Sequence, residues 1–115
     1  MGLFFQLFGR GKDINLDYES FSQMIINENS KCVILDVRTR EEYLQGHIRN
    51  SLNIDIYKND FKTKINSLNK QKTYFVYCKS GYRSNSAVKF MHGLGFEQVY
   101  NLKGGINKWK GFIEK

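Results

Sequence analysis

The 115-residue chain has no proline, one tryptophan, two histidines and two cysteines. Without proline, a composition break or an internal repeat, no linker announces itself, so the length reads as one domain with a single core. The cysteines, Cys32 and Cys78, form no CxxC pair and join no Cys/His cluster. That excludes a disulfide scaffold and a zinc site, and no cofactor motif is present. Long hydrophobic runs are missing too. The apolar start "MGLFFQLFGRGK" is far shorter than the roughly 20 residues of a membrane span. It also lacks the basic region and small-residue cleavage site of a secretory signal. Gly2 is followed at position 6 by Gln rather than the Ser or Thr that a myristoylation motif prefers. Residues 1–11 are therefore read as an apolar extension. In it Leu3, Phe4, Leu7 and Phe8 form a short helix against the domain or a partner, and residues 12–115 are the single domain. A reduced, cytoplasmic setting is the default.

Acidic residues are scarce in one half only. Residues 1–55 hold six Lys/Arg against eight Asp/Glu, whereas residues 56–115 hold twelve against three, so a net −2 faces a net +9. The second half is suited to anionic partners. Hydrophobic residues at 41% and charged residues at 25% are ordinary for a globular protein.

Two short β-branched and aromatic runs, "CVILDV" (Cys32–Val37) and "TYFVYC" (Thr73–Cys78), read as buried strands. Weaker strands lie at "DINL", "SLNI" and "QVYNL". Helical spacing fills the gaps. Asp17 caps a segment with Phe21, Met24 and Ile25 on one side. Thr39 and Glu42 form a capping box before a stop at Gly46. Phe61, Ile65 and Leu68 make one stripe; Ala87, Phe90, Met91 and Leu94 make another, ending at Gly95. Strand and helix alternate along the chain, which predicts an α/β domain with a mainly parallel sheet covered on both faces. In such sheets the site sits at the carboxyl ends of the strands. Cys78, Asp36 and Arg38 are all at such ends.

The stretch "YCKSGYRS" places Cys78 where a strand stops. A turn through Lys79, Ser80, Gly81 and Tyr82 follows, then a helix beginning near Arg83 and Ser84. A Gly-bearing turn lets backbone N–H groups point inward, and the helix start adds further unsatisfied donors. Beside cations at a helix N-terminus, a thiol pKa falls from about 8.5 to roughly 3.5–7.5. Cys78 is therefore read as a nucleophilic thiolate, not as a small core residue. Cys32 opens its strand with no such loop and is read as buried or partly buried and inert. Asp36 and Arg38 are assigned a supporting ion pair, His47 a structural hydrogen bond, Gly104 and Gly105 a backbone role, and Trp109 a place in the core.

Three segments together resemble the single-domain rhodaneses, thiosulfate-type sulfurtransferases, from about Ile14 to Trp109. They are "LDVRTREEYLQGHIRNSLNI", "YFVYCKSGYRS" with its Cys-x-x-Gly-x-Arg loop, and "VYNLKGGINKW". The resemblance implies a three-layer α/β/α fold with five parallel strands in the order 3-2-4-5-1. It implies that Cys78 takes the sulfane sulfur of a small anionic donor such as thiosulfate and passes it to cyanide, glutathione or a protein thiol. The substrate-binding loop is then Lys79, Ser80, Gly81, Tyr82, Arg83 and Ser84, with Arg83 and Lys79 as candidates to hold the donor's oxyanion end. Tyr82 is a bulky addition to that loop.

Other functions are weighed against this. A persulfide relay or docking module serving a partner protein uses the same cysteine. Cysteine phosphatases and arsenate reductases resemble His-Cys-x-x-x-x-x-Arg. Here four residues separate Cys78 from Arg83 and Tyr77 stands in for the His, a ring sized for one sulfur rather than a tetrahedral phosphate. A nucleic-acid module is disfavoured because the basic residues are scattered, no binding motif is present, and Phe75, Tyr77 and Phe90 sit in core segments.

Overall fold

The computed structural model describes residues 14–28 and 31–115. The expected helix at Leu3–Phe8 lies outside them. The elements in chain order begin with β1 (Asn15–Leu16), α1 (Tyr18–Glu28), β2 (Cys32–Asp36), α2 (Arg40–Gln45), β3 (His47–Ile48) and β4 (Leu52–Asn53). They continue with α3 (Phe61–Asn66), β5 (Thr73–Tyr77), α4 (Tyr82–Gly93), β6 (Val99–Leu102), a 3₁₀ turn (Gly105–Lys108) and β7 (Ile113–Glu114).

Five strands form one sheet in the order β1-β6-β5-β2-β4, every adjacent pair parallel. Counted along the sheet's own strands this is 3-2-4-5-1, as the family resemblance implied. The centre is β5, whose five residues are all buried and which pairs with β2 from Cys32↔Thr73 to Asp36↔Tyr77. Continuous apolar character is what a strand covered on both faces requires. One face packs Leu35, Tyr74, Val76 and Cys78 with Ile65, Val88 and Met91 of α3 and α4. The other packs Phe75, Tyr77, Tyr100 and Leu102 with Phe21 of α1. Trp109 meets this second cluster edge-on, its ring 5.1 Å from Tyr18 and 6.2 Å from Phe21. Truncating a ring such as Phe75 in this layer would cost about 3–5 kcal/mol.

Local signals set the helix ends. Asp17 Oδ1 accepts from Ser20 N–H at 2.8 Å. At α2 both halves of the Thr39–Glu42 capping box are made, and Gly46 closes the helix at φ 149°. The α4 stripe differs slightly from expectation: Ser84, Ala87, Val88 and Met91 are its buried residues, with Phe90 on the flank. The helix starts at Tyr82, one residue before Arg83. Leu68 lies past the end of α3 and is only partly buried. A feature with no sequence signal is the antiparallel pair β3–β7, in which His47 faces Glu114 and Ile48 faces Ile113. Among the described residues no helix is long and apolar enough to cross a membrane.

Candidate functional site

The carboxyl ends of β2 and β5 and the start of α4 converge on Cys78, which is 1% exposed. Its Sγ accepts hydrogen bonds from Gly81 N–H at 3.1 Å, Ser84 N–H at 3.3 Å and Ser84 Oγ at 3.2 Å. Burial alone would raise the thiol's pKa. The Ser84 hydroxyl, followed by the N–H groups of Ser84, Gly81 and Ser80, outweighs it and leaves the pKa below the ordinary thiol value. This is hydrogen bonding to the charged form, which favours that form. The sulfur is therefore an anion site lined mostly by main chain.

Two glycines shape the bowl. Gly81 has φ +105°, a conformation costly for residues with a Cβ, and it starts α4 there. Gly105, at φ +64°, lies against the backbone of Cys78 itself: a Cβ built on it would meet Cys78 O at 2.6 Å. The segment beyond Gly105 fastens the loop from behind, with Ile106 N–H donating to Cys78 O at 2.9 Å and Asn107 N–H to Lys79 O at 3.1 Å. Asn101, 2% exposed on β6, donates from Nδ2 to Gly81 O at 3.3 Å and to Asn15 Oδ1 at 2.8 Å.

Arg83 pairs with a carboxylate, and the charge of Cys78 adds to the rise of its pKa. Its guanidinium forms a two-pronged pair with Glu42, Nη1 to Oε1 at 2.8 Å and Nη2 to Oε2 at 3.0 Å, and lies 5.8 Å over the Tyr57 ring. Hydrogen bonds from Arg83 hold the Glu42 carboxyl down at about 2, and the same pairing raises the Arg83 pKa. Because Oε1 of Glu42 also accepts from Thr39 N–H and Oγ1, the pair ties α2 to the start of α4. Lys79, Ser80 and Tyr82 are exposed on the rim, Tyr82 by 82%.

Asp36 and Arg38 form a buried pair. Arg38 Nη2 donates to Asp36 Oδ2 at 2.8 Å and to Gly46 O at 2.7 Å, and Nε donates to both carboxylate oxygens. Arg38 also lies 5.6 Å over the Tyr77 ring. Tyr77 in turn accepts from Ile48 N–H at 3.0 Å and shares a hydrogen bond with Ser51 Oγ at 3.0 Å. The network fixes the turn at Gly46–Ser51 beside the site; none of these hydrogen bonds involves Sγ. His47 stacks on Tyr43 at 3.7 Å and bonds Tyr43 O through Nδ1 at 2.8 Å. Cys32 is half-buried at the opposite end of the sheet, its pKa raised by burial and then by Glu28.

Sequence reasoning thus expected Cys78 to end a strand beside a turn and a helix start, where it lies, but missed three contributors to its surroundings. Glu42 carried a signal only for its helix cap, because nothing in sequence links it to Arg83, 41 residues away. Asn101 sits in an apolar strand pattern, where a lone polar residue was the available clue. Asn15 pairs with it across the sheet edge. Among the described residues no group of His, Cys, Asp and Glu could hold a metal ion.

Comparison with known proteins agrees with this geometry. The family model for the rhodanese-like domain matches residues 17–112. A putative sulfur carrier protein of Bacillus subtilis, YrkF, is 33% identical over 86% of this chain, which spans 52% of that protein's length. A sulfurtransferase of Allochromatium vinosum is 31% identical, over 82% of this chain and 85% of its own. The crystal structure of a rhodanese-related protein from Thermoplasma volcanium superposes with a TM-score of 0.72 at 30% identity, covering 87% of this chain and 96% of that one. With the fold, the loop and these relatives in agreement, the chain belongs to the rhodanese-like domain family.

Proposed function

We propose that this protein is a sulfurtransferase that carries sulfane sulfur as a persulfide on Cys78. The observation that carries the reading is the convergence of Gly81 N–H, Ser84 N–H and Ser84 Oγ on one buried sulfur. An anion held by main-chain donors is stabilised in both states of a sulfur shuttle, because thiolate and persulfide each bear one negative charge.

In the first step a lone pair of the Cys78 thiolate attacks the outer sulfur of thiosulfate. The new S–S bond forms as the old one breaks, and sulfite departs with the bonding pair. In the second step a nucleophile attacks the outer persulfide sulfur. Cyanide leaves as thiocyanate or a thiolate leaves as its persulfide, and the electron pair of the broken bond restores the Cys78 thiolate. A thiolate attacks in the first step without a general base, and the donors that lower the Cys78 pKa favour that form. The bowl's donors stay in place throughout, so little reorganisation accompanies charge movement.

Arg83 serves this scheme as a clamp. Its charge is shared with Glu42, and its effect on the donor is to hold the start of α4, and hence Ser84, in register. Lys79 and Ser80 line the entrance, where Lys79 attracts anionic donors. Asp36 and Arg38 support the neighbouring turn. The same chemistry serves a relay to a partner protein, a reading supported by a relative named as a putative sulfur carrier.

Intact-protein mass spectrometry after incubation with thiosulfate tests the proposal. Wild type gains one sulfur atom and Cys78→Ser gains none. An unmodified wild-type protein, or a gain that survives in the variant, overturns the reading. Aryl phosphate hydrolysis should be absent, since four residues rather than five separate Cys78 from Arg83.

A further inference from the structure

Three donors compete for one carbonyl beside Cys78. Gly81 O accepts from Asn85 N–H at 3.1 Å and lies 3.3 Å from both Asn101 Nδ2 and Ser84 Oγ. A carbonyl oxygen has two lone pairs, so only two of the three donors can be served well. Asn85 N–H closes the first turn of α4 and has no choice. Ser84 is fully buried, so solvent is closed to its hydroxyl, which has one proton to place. The other acceptor within its reach is Cys78 Sγ at 3.2 Å. Asn101 decides between the two. Gly81 O can only accept, so the amide edge facing it is the NH2 group, whose second proton goes to Asn15 Oδ1 at 2.8 Å. That orientation leaves the buried Oδ1 of Asn101 without a partner among the described residues, a destabilising arrangement inside a strand. A valine there would avoid it. What the side chain contributes is its NH2 group.

We propose that Asn101 is a positioning residue for Cys78: by filling the second lone pair of Gly81 O, it leaves Sγ as the acceptor open to the Ser84 hydroxyl. The effect falls on the protonated sulfur more than on the anion. A thiolate draws the hydroxyl whatever Gly81 O is doing, because an ionised acceptor outcompetes a neutral one. A thiol accepts only weakly. With Gly81 O free, the hydroxyl would turn to it and gain a neutral hydrogen bond in the thiol state. Asn101 denies it that resting place, so the protonated bowl keeps a poorly bonded hydroxyl and the ionised bowl is favoured. Against burial, which raises the Cys78 pKa, the Ser84 hydroxyl is the foremost opposing contribution, so control of that one proton matters. Arg83, whose charge is coupled to Cys78, takes no part in these bonds. The consequence for turnover rests on the sulfur-transfer reading above; the consequence for ionisation does not.

A double-mutant cycle on the full chain tests this, read as the pH midpoint of Cys78 alkylation by iodoacetamide, with peptide mapping to separate Cys32. In Asn101→Val the hydroxyl regains Gly81 O, and the midpoint rises by about half to one pH unit, the worth of a neutral hydrogen bond. In a Ser84→Ala background there is no hydroxyl to redirect, and the same substitution moves the midpoint less than about a third as far. Asn101→Ala, which adds no volume to the strand, is put through the same cycle, and the variant that keeps the wild-type circular dichroism spectrum is the one read. With thiosulfate below both midpoints, kcat/KM of the variant falls about three- to tenfold with its thiolate fraction, and the deficit shrinks as pH rises past them. A merely structural role would loosen Gly81 N–H and Ser84 N–H as well, and would shift the midpoint equally in both backgrounds. Equal shifts therefore overturn the proposal, as does an unmoved or lowered midpoint where Ser84 is present. If wild type takes no sulfur from thiosulfate, the transfer reading fails by itself and the alkylation cycle still decides the role of Asn101.

Discussion

Cys32 and Cys78 lie at opposite ends of the same two paired strands. Cys32 opens β2 beside Thr73, the first residue of β5, and Cys78 directly follows β5. Cys78 is the more buried, yet its pKa is lowered where that of Cys32 is raised. Burial pushes both thiols the same way, so burial is not what separates them. Direction along the strands does. At the amino end Cys32 has the carboxylate of Glu28 for company; at the carboxyl end the chain turns into α4 and presents N–H groups. A parallel sheet thus makes one of its edges hospitable to negative charge and the other hostile to it.

The bluntest way to break this comparison is to exchange the roles. Cys78→Ser should abolish sulfur uptake from thiosulfate, with turnover falling by roughly three orders of magnitude or more, as for removal of an essential nucleophile. Cys32→Ser should retain wild-type turnover in the same assay. Comparable losses in both would dissolve the distinction.

A finer cut removes one donor. Ser84→Ala takes away the hydroxyl at 3.2 Å from Sγ but leaves both N–H groups. A hydrogen bond to a charged group is worth about 1.5–3 kcal/mol, so the midpoint of the pH–alkylation profile with iodoacetamide should rise by about 1–2 pH units. At pH below both midpoints, alkylation slows about tenfold or more. An unmoved midpoint would assign the lowered pKa to main chain alone.

Glu42→Gln asks whether Arg83 contributes charge or position. The Glu42 carboxyl lies near 2 in the folded protein, below its ordinary value of about 4.3. Its stabilising contribution is therefore complete above about pH 4.3 and is lost as pH falls through about 2. With the Glu42 side chain 29% exposed, solvent screening reduces the stake to about 1–2 kcal/mol at pH 7. Urea unfolding should show that deficit for Glu42→Gln at pH 7 and show it shrinking as pH falls toward 2. If Arg83 acts by position, the alkylation midpoint of Cys78 moves little. A drop of a full pH unit, as the released cation faces the thiolate, would instead make Arg83 a direct electrostatic partner.

The smallest effect belongs to Cys32→Val, a near-isosteric change at a half-buried strand position. Its unfolding free energy should stay within about 1 kcal/mol of wild type, with slower total alkylation and unchanged turnover.

Most of this contrast could be read from sequence because its causes are local. "TYFVYC" ends in a Gly-bearing turn, so the strand exit, the turn and the helix start follow from residues within seven positions of one another. The capping box at Thr39–Glu42 was legible for the same reason. What escaped was made by the sheet's closure. Arg83 was expected to hold the donor's oxyanion end; its pairing with Glu42, 41 residues away, had no sequence signal. The β3–β7 pair escaped because two-residue strands carry no periodicity. Asn101 escaped because its meaning depends on Gly81 and Asn15, which only the folded sheet brings beside it.

Gly105 has a practical consequence. It has nothing to ionise, donate from a side chain or offer a ligand, and it follows Cys78 by 27 positions in the chain. Yet even one methyl group there would have to displace the peptide that carries the sulfur. A survey that scores positions by chemical equipment would pass over it, while a survey that scores lost turnover would rank it among the reactive groups. Dead variants at that position would report a deformed mould rather than missing machinery.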